Sequence, residues 1–167
     1  MTTATAEITH TLGLGQLEAA KGPGTVLACL GLGSCVAMCA WDPLAKVGGM
    51  AHMVLPNSAD ARASAPHPKF VDSAIPMLLD RMIKLGAAKH RLVVKLVGGA
   101  QVVNIAAAND LFNIGMRNAE AAKSNLAALG IPVRAADVGG NRGRTARLYL
   151  DTGRLLVSRV GDPGVEV

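Results

Sequence analysis

Between Leu27 and Pro56 the chain reads L-A-C-L-G-L-G-S-C-V-A-M-C-A-W-D-P-L-A-K-V-G-G-M-A-H-M-V-L-P, and this stretch does most to limit the fold. Two extended segments, Val36 to Trp41 and Val47 to Leu55, flank an Asp42-Pro43 turn and read as neighbouring strands. Cys35 stands at the start of the first and His52 well into the second. That order lets them meet across the connection as a nucleophile and its base. The stretch also holds the other two cysteines, Cys29 and Cys39, and the only tryptophan, Trp41.

The remainder of the chain alternates helices with strands. Lys69 to Leu85 carries Phe70, Ala74, Met77, Leu78, Arg81, Met82 and Leu85 largely on one helical face, with Gly86 as terminator. Pro76 either kinks this helix or marks the first turn of a shorter one. A second helix is expected over Asn113 to Leu129, with Asn113 as cap and Met116, Ala119, Ala122, Leu126 and Leu129 on its buried face. Strands are expected at Gly13 to Ala20, Thr25 to Leu32, Arg91 to Val97 and Ile131 to Val138. Thr145 to Leu150 and Leu155 to Val160 read as a hairpin around Asp151-Thr152-Gly153. Asn57 to Pro68 is a polar loop beyond His52, and residues 1–11 are expected to fray. The order gives an α/β or α+β architecture in a single domain spanning 1–167.

With 167 residues and only four aromatic side chains, the core must be built from aliphatic residues and methionine. The formal charge is +5, but unevenly placed: two basic residues face four acidic ones up to Asp60, and fifteen face eight from Ala61 onward. Such a basic half favours an acidic partner. Nucleic acid is disfavoured, because there is no finger spacing, aromatic platform or lysine-rich arm. The N-terminal residues carry neither a basic head nor an apolar core, and no run reaches the ~18 apolar residues of a membrane span. Three cysteines without a secretion signal point to free thiols in a reducing cytoplasm.

Two readings stand for each reactive side chain. Cys35 is either a nucleophile at a glycine-bordered joint, with main-chain N–H groups near Ser34 and Cys35 receiving an oxyanion, or a small buried hydrophobe. His52 is either its base or a core histidine bonded to the main chain; burial favours the neutral ring in both cases. His10, His67 and His90 read as surface groups. Even spacing puts Cys29, Cys35 and Cys39 on one face of an uninterrupted strand, but C-x5-C-x3-C is not the spacing of common zinc sites. Neither Gly98-Gly99 nor Gly139 to Arg144 has a phosphate-loop ending, so a nucleotide fold is rejected.

Four blocks, G-L-G-S-C-V at Gly31 to Val36, G-G-M-A-H-M-V-L-P at Gly48 to Pro56, K-L-V-G-G-A at Lys95 to Ala100 and D-V-G-G-N-R-G-R at Asp137 to Arg144, resemble the CheD family of chemoreceptor glutamine deamidases. The resemblance implies hydrolysis of glutamine side-chain amides in the cytoplasmic helices of methyl-accepting chemotaxis receptors, without cofactor or metal. It implies an α/β sandwich of mixed sheets flanked by helices, like the catalytic domain of cytotoxic necrotising toxins. Some members act as receptor methylesterases, and some bind the phosphatase CheC. The family nucleophile falls on Cys35 and its histidine on His52. The third position, a threonine in the family, falls on Cys29, whose thiol is a weak partner for an imidazole; a main-chain carbonyl is the expected substitute. Ser34, Gly99, Asn141 and Arg142 are the expected substrate-binding or oxyanion residues. Arg142, Arg144 and Arg147 either steer an acidic receptor helix or serve the surface and the G-G-N-R loop.

Overall fold

The computed structural model describes residues 4–59, 61–62, 65–102 and 113–167. In chain order the elements are β1 (Ile8–Thr11), β2 (Leu17–Lys21), β3 (Thr25–Leu32), β4 (Val36–Asp42), β5 (Val47–Met53), α1 (Val71–Lys84), a 3-10 turn (Lys89–Arg91), β6 (Val93–Gly98), α2 (Ile114–Ala128), β7 (Val133–Val138), β8 (Arg144–Tyr149), β9 (Arg154–Ser158) and β10 (Val165–Glu166). The strands form two mixed sheets of five, ordered β1-β3-β8-β9-β10 and β2-β5-β4-β6-β7. Ile8–Thr11, expected to fray, instead pairs in parallel with Thr25–Ala28 and is a structured edge of the first sheet.

The second sheet is the middle layer. Alternation along β4 sends Val36, Met38 and Ala40 toward the helices, where they meet Ile75, Leu78 and Met82 of α1 and Leu126 of α2. The opposite parity sends Cys35, Ala37 and Cys39 toward the first sheet, against Cys29, Leu148, Leu155 and Val157. Two adjacent glycines let both neighbours approach β5. A Cβ on Gly49 would lie 2.5 Å from Met82 Sδ, and one on Gly48 would lie 2.6 Å from Leu150 Cγ. A core with few aromatic rings thus closes around methionine and leucine packed on bare main chain.

Several expectations change at this level. Helix α1 continues from Val71 to Lys84 with Pro76 inside it on its exposed side, so proline does not mark the first turn. Met116 is 64% exposed, and the inward positions of α2 are instead Gly115, Asn118, Ala119, Ala122 and Leu126. Asn113 occupies the N-cap position but makes no capping hydrogen bond through its side chain. The three cysteines do not share a strand face. A register shift in β3 between Cys29 and Leu32 and the sheet change after it place Cys29 opposite the other two thiols. Part of the loop 57–68 lies outside the described residues; Ser58 is tied down through its N–H and Oγ by the Asp72 carboxylate.

Candidate active site

Cys35 and His52 share a face because of the β4–β5 register. Ala37 pairs with His52 and Val36 with Met53, so Cys35, two residues before Ala37, is the diagonal neighbour of His52. Diagonal Cα separations of this kind are about 7–8 Å, within reach of long side chains. Both groups are nearly enclosed, with 8% of Cys35 and 4% of His52 exposed.

His52 is held at three points, its main chain by two hydrogen bonds and its ring by one. His52 N–H donates to Gln16 O at 2.9 Å, and Gly15 N–H donates to His52 O at 2.9 Å. Nδ1 lies 3.2 Å from the carbonyl oxygen of Leu12. A carbonyl can only accept, so the ring proton sits on Nδ1 and leaves a lone pair on Nε2. Nε2 is buried and makes no hydrogen bond among the described residues. Burial pushes the His52 pKa below its ordinary value, opposed by the Leu12 carbonyl. At neutral pH the ring is therefore an uncharged base.

Cys35 lies at the corner where the chain leaves the first sheet for the second. Burial raises its thiol pKa, and its own main-chain N–H opposes the rise. In the resting protein the proton thus stays on sulfur. The carbonyls around the thiol are anchored in turn: Gly33 O accepts from Ala100 N–H at 2.8 Å, Ser34 O from Asn118 Nδ2 at 3.0 Å, and Cys35 O from Gly99 N–H at 2.8 Å. Gly98 must be glycine for this corner to form. Its φ is +115°, and a Cβ there would stand 2.2 Å from Cys35 O.

The other expected site residues separate into two groups. Ser34 and Gly99 belong to the corner, Gly99 through its N–H and through close contact with Gly115 of α2. Cys29 does not reach the imidazole: its thiol is fully buried 3.4 Å from Met50 Sδ, and burial raises its pKa strongly. The main-chain carbonyl within reach of the ring is that of Leu12. Asn141 is exposed, while Arg142 pairs with Asp162 at 2.6 Å and donates to Val160 O at 2.9 Å.

Arg144 cannot steer a partner, because only 5% of it is exposed. It donates to Gly98 O at 3.0 Å and Gly139 O at 2.6 Å, and its Nε lies 3.0 Å from Asp137 Oδ1 without hydrogen-bond alignment. Asp137 also pairs with Arg159 at 2.7 Å. A groove of about 450 Å³ lined by Gly31, Arg142, Arg144, Ser158 and Arg159 lies on this side and includes neither Cys35 nor His52. Its arginines are already paired, Arg142 with Asp162 and both Arg144 and Arg159 with Asp137.

Asn118 and Gly98 carry weight that sequence reading did not assign. Asn118 was masked by its place in a helical pattern, although a polar residue at an inward position is itself a signal. Among the described residues no group of three or more His, Cys, Asp or Glu is arranged to hold a metal ion, and no helix is long and apolar enough to cross a membrane.

The family described as CheD, chemotactic sensory transduction, matches residues 54–159. Curated relatives extend the likeness over the rest of the site. A Thermotoga maritima protein named chemoreceptor glutamine deamidase CheD is 44% identical over 150 residues, covering 90% of this chain and 91% of that one. Proteins named probable chemoreceptor glutamine deamidase CheD from Symbiobacterium thermophilum and Caldanaerobacter subterraneus are 42% and 44% identical, each covering 90% of this chain and 92% of the relative. Alignments of that span take in both Cys35 and His52. Among solved structures, the hypothetical protein YfiH of Bacillus licheniformis gives a TM-score of 0.48 at 14% identity, covering 79% of this chain and 59% of that one.

Proposed function

The chain belongs to the CheD family, and from that premise we propose that it hydrolyses glutamine side-chain amides of chemotaxis receptors, with Cys35 as nucleophile and His52 as general base and acid. The observation that carries the reading is the state of His52: Nδ1 committed to Leu12 O, Nε2 buried with its lone pair unused, and Cys35 next along the same sheet face. A buried acceptor without a partner costs about 1–3 kcal/mol, a cost that a base awaiting a proton explains.

The steps balance without cofactor or metal. Nε2 takes the Cys35 proton, and the thiolate attacks the glutamine Cδ to give a tetrahedral oxyanion facing main-chain donors near Ser34 and Cys35. Nε2–H then protonates the departing nitrogen, releasing ammonia and leaving a thioester. His52 next deprotonates water, which attacks the thioester; collapse expels the thiolate, which takes the proton back from Nε2–H, and yields glutamate. The near enclosure of the thiol favours a slender side-chain amide over a main-chain peptide bond flanked by chain on both sides.

On the same resemblance, the sandwich is read as that of the cytotoxic necrotising toxin catalytic domain, acting in the cytoplasm on receptor helices, in a family of which some members bind CheC. A second reading, a non-enzymatic adaptor for the receptor or CheC, is favoured by Cys29, which faces Met50 where the family pattern expects a triad member. Methylesterase activity would use the same acyl transfer and release methanol.

Peptide mass spectrometry of an amidated receptor cytoplasmic domain after incubation with this protein separates these readings. Amide-to-acid conversion at defined glutamines, lost in Cys35→Ala and His52→Ala, is the expected result. An unchanged cognate receptor that still binds the folded protein would establish the adaptor.

A further inference from the structure

Asn118 is fully buried on α2 and is a polar side chain in the apolar layer between the helices and the middle sheet. Its amide nitrogen donates to two carbonyls, Ser34 O at 3.0 Å and Val54 O at 2.9 Å. These acceptors lie one residue before the nucleophile and two residues after the base. Two carbonyl acceptors fix which end of the amide is nitrogen, and the oxygen that remains, Oδ1, is buried without a hydrogen bond among the described residues. Stability alone does not explain an arrangement that orphans a buried acceptor.

Geometry shows what the arrangement achieves. The described peptide bonds are all trans, so the Cys35 N–H points opposite to the Ser34 carbonyl in the same peptide plane. By drawing Ser34 O toward α2, Asn118 turns the Cys35 N–H away from the helix layer, to the side on which the thiol lies. The Gly33 and Cys35 carbonyls on either side are held by main-chain donors, Ala100 and Gly99. The Ser34 carbonyl is held by a side chain. We propose that Asn118 is a positioning residue that aims the Cys35 main-chain N–H into the oxyanion site. The inference rests on the acyl-transfer reading of Cys35, and its test does not need the receptor.

The probe is a short peptide in which the glutamine carboxamide is replaced by an aldehyde. The Cys35 sulfur bonds to the aldehyde carbon, the C=O π pair moves onto oxygen, and the thiol proton is taken by His52 or by that oxygen. The hemithioacetal reproduces the oxyanion geometry without a leaving group. Iodoacetamide is the comparison reagent, because sulfur alkylation develops no oxyanion.

In Asn118→Leu and Asn118→Asp, aldehyde affinity is expected to fall at least tenfold. The alkylation rate of Cys35, read on its high-pH plateau where the thiolate is fully formed, is expected to stay within about twofold. In the unaltered protein, the amide proton of Cys35 is expected to shift downfield and gain exchange protection in the aldehyde adduct. Equal losses in aldehyde affinity and plateau alkylation would make Asn118 merely structural and overturn the proposal. So would an unshifted Cys35 amide in the unaltered adduct, a measurement that stands even if neither variant folds. Failure of receptor deamidation with these results intact would instead refute the choice of substrate.

Discussion

Replacing Gly98 by alanine tests the nucleophile corner directly. Two costs follow from its geometry. Holding a non-glycine residue at a φ of +115° costs about 1–3 kcal/mol. The new Cβ, 2.2 Å from Cys35 O, must also displace that carbonyl from Gly99 N–H, a hydrogen bond worth about 0.5–1.5 kcal/mol. Together these give about 1.5–4.5 kcal/mol, or a fall in Tm of about 3–18 °C for a chain of this length. Activity is more sensitive, because a displacement of about 1 Å at a reacting atom costs roughly a hundredfold in rate. Gly86→Ala supplies the control: its φ is +107°, but a Cβ there has no neighbour within 4 Å. It carries the backbone strain without the collision and lies at the end of α1, away from Cys35. Thermal unfolding by circular dichroism and receptor deamidation would be measured on both variants. If Gly98→Ala loses no more stability and activity than Gly86→Ala, the Gly98 contact does not set the position of Cys35.

The remaining predictions use other parts of the molecule. Cys29→Ala should retain deamidation within about threefold while losing about 1–2 kcal/mol of stability, since His52 is oriented by Leu12 O and the thiol only fills core space; a hundredfold loss of kcat would restore Cys29 to the catalytic set. Native iodoacetamide treatment should label Cys35 with a midpoint above the ordinary thiol value of about 8.5, while Cys29 and Cys39 stay unmodified until unfolding, the latter having a pKa pushed up to about 12 by burial; peptide mapping across pH checks this. Asp42 is buried, which by itself would raise its pKa, but Arg91 and the N–H groups of Leu44, Ala45 and Ala88 hold it well below the carboxylate range. Its contribution is therefore present above the unfolded value of about 3.9 and lost as pH falls through the lower folded value. Asp42→Asn should destabilise by a few kcal/mol at pH 7 and weaken the acid dependence of urea unfolding; an unchanged slope between pH 5 and 2 would refute that account.

The β4–β5 hairpin was legible because its signals are local: apolar runs, an Asp-Pro turn and a proline stop. The order of the two segments let Cys35 and His52 meet across the turn, and the β4–β5 register makes them diagonal neighbours. What was hidden depends on contacts distant in sequence. The N-terminal strand looked like a frayed end because Ile8–Thr11 has little apolar content, and only pairing with β3 orders it. Met116 fitted the helical period but faces outward, since the close approach of Gly115 to Gly99 sets the rotation of α2 and turns Asn118 inward. Arg144 looked like part of a basic surface because composition does not report burial; its guanidinium is occupied by the Gly98 and Gly139 carbonyls. The orienting group of His52 belongs to the main chain and therefore has no residue type to recognise.

That last feature has a genetic consequence. Any non-proline residue whose side chain fits the buried place of Leu12 supplies the same carbonyl, so a codon-by-codon scan can pass over the element that fixes the tautomer of His52. Its vulnerability lies in spacing. Leu12 is held by its N–H on Ala28 O, and four residues later Gln16 O is bound by His52 N–H. Deleting or inserting one residue between those two clasps moves the carbonyl off the ring while leaving every side chain of the site in place. The reading frame of the backbone, more than the alphabet of its side chains, encodes this part of the site.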